Sequence, residues 1–167
     1  MTIQPPRLQG MVDPLDIYQA MLDFVSDAVI RGDVEQYLSA VTTPYTIHTE
    51  TKRFDLATTD DLRATLLCVS GGFRRQGVTD YIRLARGADY VTRHRISGTH
   101  YTHIIRDAER VAPSYVASQT LLSDGTCWRF CEARYAIVND ALPFTFPTAG
   151  RQPDRLPFHP AGGGRHG

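Results

Sequence analysis

Between Arg95 and Val138 the sequence reads RISGTHYTHIIRDAERVAPSYVASQTLLSDGTCWRFCEARYAIV, and apolar and polar residues alternate along most of it. Side chains at period two leave a strand on opposite faces, so this stretch predicts three consecutive antiparallel strands, over Ile96 to Arg106, Val111 to Leu122 and Cys127 to Val138. Asp124-Gly125 supplies the last turn. Such a sheet has an apolar face that water must not reach, and the helical first half of the chain is the available cover.

Taken in order, residues 1 to 12 form an irregular arm rich in Pro and Gln. Asp13 can cap the first helix and Pro14 at its first position forfeits no hydrogen bond. Ile17, Tyr18, Met21, Leu22, Val25, Ala28 and Val29 then recur at helical spacing, and Gly32 ends the run. Asp33 caps a second, short helix with an apolar stripe of Val34, Tyr37, Leu38 and Val41. From Tyr45 to about Leu56 the period falls to two, which predicts two short strands with a turn around Thr51 to Arg53. Thr58 to Asp61 has the form of a capping box, and Leu62, Leu66, Val69 and Phe73 mark a third helix closed by Arg74, Arg75 and Gly77. Gly71-Gly72 inside it lowers helix propensity by roughly 1 kcal/mol per glycine, so a break or a close packing contact is expected there. Tyr81 to Val91 opens the series of long strands.

A chain of 167 residues that is 42% hydrophobic carries one core, placed here at residues 13 to 140. Lys+Arg and Asp+Glu are both 18, so no net field draws nucleic acid or an anionic membrane, and neither is an expected partner. With no signal-like or membrane-length apolar run, a cytoplasmic location is expected. Cys68, Cys127 and Cys131 form no disulfide framework. On a strand, Cys127 and Cys131 would lie about 13 Å apart, too far for two ligands of one zinc ion, so they read as buried or half-buried thiols. No cofactor and no metal site is expected, since His48, His94, His100 and His103 lack ligand spacing. Residues 141 to 167 turn to Pro and Gly and are expected to be largely mobile, with Phe144, Phe146 and Phe158 able to pin parts of them to the body or a partner.

The element order, together with Arg31-Gly32-Asp33, the strand opening Val78-Thr79-Asp80-Tyr81, Gly98-Thr99-His100 and the closing Asp124-Gly125-Thr126-Cys127-Trp128-Arg129-Phe130, resembles the nuclear transport factor 2-like superfamily. Within it, residues 12 to 140 look like the SnoaL-like branch, with relatives in scytalone dehydratase and ketosteroid isomerase. The resemblance implies an α+β fold in which a curved, mostly antiparallel sheet wraps around three helices of the N-terminal half, a cystatin-like cone. It also implies a ligand pocket at the open end and a homodimer through the sheet. Scytalone dehydratase-like members place a histidine where this chain has Thr79-Asp80-Tyr81, and a Tyr-Asp pair where it has Val29-Ile30. Both departures count against that dehydration chemistry.

The remaining polar groups supply the candidate site. His100 shares a strand face with Ile96, Gly98, Thr102 and Ile104, whereas Tyr101 and His103 lie on the other, so at most one histidine points inward without a bulge. The surroundings favour His100, with His103 the alternative. An inward histidine near its ordinary pKa could move a proton at neutral pH, and a hydrogen-bonded core histidine is the competing reading. Asp80 at a strand mouth is a candidate base, as is Glu132, each with pairing to Arg83, Arg129 or Arg134 as its competing fate. Tyr18, Tyr81, Tyr101 and His48 are candidate ligand contacts, although His48 is out of phase with Tyr45 and Ile47 and so points away from the core. Trp128 reads as a core anchor.

Two classes of function fit these residues. One is lyase, isomerase or cyclase chemistry by acid-base catalysis on a small hydrophobic or aromatic, cyclic or polyketide-like molecule. The other is a non-catalytic ligand-binding or scaffold domain resembling the β subunit of ring-hydroxylating dioxygenases.

Overall fold

The computed structural model describes residues 4–6, 8 and 10–136. The end of the expected last strand, the tail from 141 to 167 and its three phenylalanines lie outside the described residues.

Three helices form where the capping chemistry places them. Helix α1 spans Pro14–Arg31, with the Asp13 carboxylate accepting from the Leu15 N–H at 2.8 Å and Gly32 taking the left-handed conformation at φ +67°. Helix α2, Val34–Ser39, starts with the Asp33 carboxylate accepting from the Gln36 N–H at 3.0 Å. Both halves of the capping box hold the start of α3, Thr59–Arg75, with the Thr58 hydroxyl and the Asp61 carboxylate each accepting a backbone N–H at 3.1 Å. The helix runs through Gly71-Gly72 unbroken, and a Cβ at Gly71 would meet only the flexible end of Arg75 at 3.3 Å. The break expected of these glycines is absent, and the tight approach at Gly71 is to a side-chain end that can move aside. Burial of Leu62, Leu66 and Phe73 on the same helix offsets their weak propensity.

The strands are β1 Val41–His48, β2 Arg53–Leu56, β3 Asp80–Thr92, β4 Arg95–Arg106, β5 Glu109–Arg110, β6 Tyr115–Ser123 and β7 Trp128–Tyr135. Two boundaries differ from expectation. Val41 belongs to β1 rather than to the stripe of α2, because it pairs with Phe130 of β7, whose N–H donates to the Ala40 carbonyl at 2.8 Å. The strand expected from Val111 starts only at Tyr115, after Pro113, which has no N–H for a ladder, and ahead of it a turn at Asp107 and Ala108, both at positive φ, folds the short, unexpected β5 back on β4.

The sheet order is β2-β1-β7-β6-β4-β3, antiparallel except for the parallel pair β1 and β7, and β5 hangs on β4. The three consecutive antiparallel strands read from Arg95 onward are β4, β6 and β7. Register shifts at Ala85/Gly87, Tyr90/Thr92 and Thr120/Leu121 each put one extra residue into one strand, the shift between Val41 and Thr46 puts more into β1, and such irregularities bend a strand. The result is the curved, unclosed α+β sheet around three helices that the resemblance implies. Strand β3 is an edge, and α1 covers it: the Gln19 amide donates to the Arg83 carbonyl at 2.8 Å and accepts from the Ala85 N–H at 2.7 Å.

The inward row of β4, namely Ile96, Gly98, His100, Thr102 and Ile104, is buried throughout. Gly98 is there because Tyr18 of α1 lies flat on it. A Cβ at Gly98 would come within 2.6–2.7 Å of three Tyr18 ring atoms, so the ring occupies the volume any side chain would need. Trp128, expected in the core, is half-buried and tilts against Tyr90 with ring centroids 6.3 Å apart. Gly98→Ala is expected to cost roughly 1–3 kcal/mol through overpacking against Tyr18, measurable by denaturant unfolding, whereas Gly125→Ala, with nothing within 4 Å of its Cβ, should show only the smaller strain of its positive φ.

Candidate functional site

Side chains on the concave face of the sheet fall into two layers. The deeper one centres on His100, which has no exposed surface. Its Nδ1 hydrogen-bonds the Tyr18 hydroxyl at 2.7 Å, while Nε2 is buried without a hydrogen-bond partner among the described residues. Tyr18 is held in turn by Gly98 beneath it and Phe130 at its edge, with ring centroids 6.3 Å apart. Burial, and secondarily the positive charge of Arg83, lowers the His100 pKa to about 3. Burial raises the Tyr18 phenol above its ordinary value. At neutral pH this is a pair of uncharged groups locked into the core.

The second layer surrounds a cavity with a free volume of about 40 Å³, room for a few water molecules. Its lining combines apolar side chains, Val25, Val29, Val41, Ile47, Leu66 and Val69 among them, with the tyrosines Tyr37, Tyr45, Tyr81 and Tyr135, Gln119 and Arg83. Arg83 is only 3% exposed. Its Nε donates to the Ser26 hydroxyl at 2.7 Å and its Nη2 to the Leu22 carbonyl at 2.9 Å, and it lies over the Tyr81 ring at 5.1 Å. Among the described residues it pairs with no carboxylate. Burial pushes the phenols of Tyr37, Tyr45 and Tyr135 upward, and the charge of Arg83 pulls each of them partly back.

Of the eight candidate site residues singled out in the sequence, only Tyr81 lines this cavity. His100 and Tyr18 face inward but lie behind the wall. Tyr101, 39% exposed, sits on the convex face with the Arg86 guanidinium 4.4 Å from its ring centroid, so it is not a cavity contact. His103 shares that face and bonds the Ser114 hydroxyl at 2.6 Å, as alternation with an inward His100 requires. His48 is likewise outward, 3.5 Å from Glu132, with its pKa lowered by partial burial and by Arg134. Asp80 is exposed and accepts from the Thr79 hydroxyl at 2.8 Å, at the rim of a surface groove rather than in the cone. Glu132 pairs with Arg134 at 2.8 Å and Arg129 with Asp124 at 2.7 Å, but Arg83 takes neither acid. Cys127 is buried, Cys68 and Cys131 are half-buried, and all three are free thiols. No group of three or more potential metal ligands occurs among the described residues, and no helix there is long and apolar enough to cross a membrane.

No protein-family model and no curated protein matches the sequence. Solved structures do. An NTF-2-like protein of unknown function from Shewanella oneidensis aligns with TM-score 0.59 at 12% identity, over 74% of this chain and 99% of its own. An NTF2-like protein with a cystatin-like fold from Novosphingobium aromaticivorans gives 0.58 at 9% identity, over 77% and 84%. The chain has the NTF2-like, cystatin-like fold. A third structure, LinA, aligns at TM-score 0.52 with 9% identity, over 79% of this chain and 92% of its own. At such identities the shared feature is the backbone path, so the NTF2-like fold sets where a pocket lies and leaves its chemistry to the side chains.

The sequence reading missed Arg83, Tyr37, Tyr45, Tyr135 and Gln119. A signal existed: Arg83 is in phase with Tyr81, a residue already singled out. It was masked because Ile82 and Leu84, on the other row, look like the buried face of β3, yet they are 38% and 49% exposed.

The buried histidine has a pH signature. Its folded pKa is about 3 and its ordinary value 6.5, so the unfolded chain binds its proton first on acidification. The stability gained by keeping it neutral is complete above about pH 6.5 and is lost as pH falls toward 3. Unfolding free energies in that window are expected to fall by about 1.4 kcal/mol per pH unit more steeply for the wild type than for His100→Gln. Parallel pH profiles would show that His100 is solvated.

Proposed function

We propose that this protein is a small-molecule-binding domain and that the occupied site is the cavity around Arg83. The observation that carries this reading is the lining itself, mainly apolar side chains with four tyrosines, an amide and a guanidinium among them. Pockets that orient a ligand combine a mainly apolar surface with a few convergent polar groups in this way. The occupant is a small molecule with an apolar or aromatic body.

Lyase, isomerase or cyclase chemistry by acid-base catalysis draws less support from the site. It needs a group that titrates near neutrality beside the substrate, and the cavity offers raised phenols and a guanidinium, while His100 is walled off and stays neutral. The free volume of about 40 Å³ is also small beside the roughly 300–1,000 Å³ typical of drug-sized ligands, so a polyketide-sized ring system would require the walls to move. A compact monocyclic molecule demands far less.

A second copy of the chain is the proposed partner, seated on the convex face of the sheet. There Leu84 pairs in register with Tyr101, and Tyr101 with Val116, beside the exposed Ile82, giving an apolar strip across three strands. Water-exposed strips of this kind favour association. Sedimentation equilibrium is expected to give a dimer for the wild type and a shift toward monomer for Leu84→Glu. A monomeric wild type would end this part of the reading.

The binding reading is tested by thermal-shift titration of the full chain with a panel of monocyclic aromatics, including phenol, benzyl alcohol, benzamide and benzoate. At least one is expected to raise Tm, since a ligand at 100 times its Kd stabilises by about 2.7 kcal/mol. Val69→Phe, which fills the cavity from α3, should fold and lose the shift. No shift with any compound at millimolar concentration would remove the proposal.

A further inference from the structure

The lining of the cavity has an imbalance in its hydrogen bonding. Of the guanidinium N–H groups of Arg83, one on Nε and one on Nη2 have acceptors, Ser26 and the Leu22 carbonyl. A guanidinium carries five such donors and no acceptor, and the rest find none among the described residues. Around it, the hydroxyls of Tyr37, Tyr45 and Tyr81 and the side-chain amide of Gln119 make no hydrogen bond to another described residue, though Gln119 is only 3% exposed and Tyr81 8%. The cavity thus holds one fixed positive charge with unmatched donors, and the acceptors it offers are the neutral oxygens of the phenols and of Gln119.

An arginine stays charged when buried, and a desolvated charge without a counter-charge costs several kcal/mol. The two neutral acceptors and the Tyr81 ring face offset part of that. Negative charge on the protein lies elsewhere: Asp23, Asp27 and Asp80 line a surface groove that reaches Arg83 from the solvent side, and none of them comes within ion-pair distance of it. What would satisfy the inner side is an acceptor bearing one negative charge.

We infer that the ligand is a small organic carboxylate, its anionic end on Arg83 and the surrounding phenol and amide donors, its body against Val25, Val29, Val41 and Leu66. This deepens the proposed function and rests on the same cavity. A monoanion balances one guanidinium, whereas a phosphate dianion would leave excess charge buried. Inorganic anions would gain nothing from the apolar side chains. The small free volume selects a short branched or monocyclic acid.

The experiment compares isosteres on the full-length protein at pH 7 by calorimetry: isobutyrate against isobutyramide, and benzoate against benzamide. At least one carboxylate is expected to bind at least tenfold more tightly than its amide. Arg83→Gln should weaken the acid at least tenfold more than it weakens the amide. Tyr81→Phe, which keeps the ring and removes one donor, should weaken the acid more than the amide, and covers the case in which the Arg83 variant does not fold. Equal binding of acid and amide would overturn the charge assignment and leave the binding site standing. Binding of neither member of either pair would overturn both readings.

Discussion

A guanidinium almost cut off from water sits where helix α1 meets the edge strand β3, and much of the architecture follows from accommodating it. Arg83 reaches across to Ser26 and to the Leu22 carbonyl, so its charge is tied to the turn of α1 that passes over the strand. One turn earlier, Gln19 closes the exposed edge of β3 by bonding the backbone of Arg83 and Ala85. Helix and strand are therefore joined by polar contacts as well as by the apolar packing of the core. That junction forms the wall of the cavity.

The two layers inside the cone divide the work between stability and binding. Tyr18, Gly98 and His100 make a dry contact in which a ring replaces a side chain and a histidine is held neutral. Such groups specify one docking position for α1, because sliding the helix would strand the phenol and the imidazole without partners. The layer around Arg83 differs in that its unmatched donors line a cavity. Polar groups that are satisfied internally belong to the fold. Those left open toward a cavity are what a ligand can use.

Much of the framework is legible in local chemistry. Asp13, Asp33 and Thr58 mark the helix starts, Gly32 marks an end, and the alternation through Ile96 to Arg106 places His100 inward and His103 outward. Capping and strand alternation act over a few residues, so neighbours in sequence suffice to read them. The failures are also physical. Val41 left its helix for a strand because Phe130, far along the chain, offered it a hydrogen-bonding partner. The Gly71-Gly72 pair bent nothing because burial elsewhere on α3 outweighed its propensity. Arg83 stayed hidden because its neighbours Ile82 and Leu84 looked like the buried row.

The order of the helices and main strands, the antiparallel run from Arg95 and the phase of β4 were determined by the sequence alone, since all three depend on period and turn chemistry, whereas the short β5 and the phase of β3 were not. The sequence also placed a histidine inside the cone. Whether that histidine meets a ligand was decided only by tertiary structure, because the Tyr18 ring from a distant helix fills the space beside it. The same holds for Tyr37, Tyr45, Gln119 and Tyr135, which come from four separate elements and share nothing in the sequence that groups them with Arg83. Strand pairing and helix docking bring them together around one charge, and only their convergence makes a site.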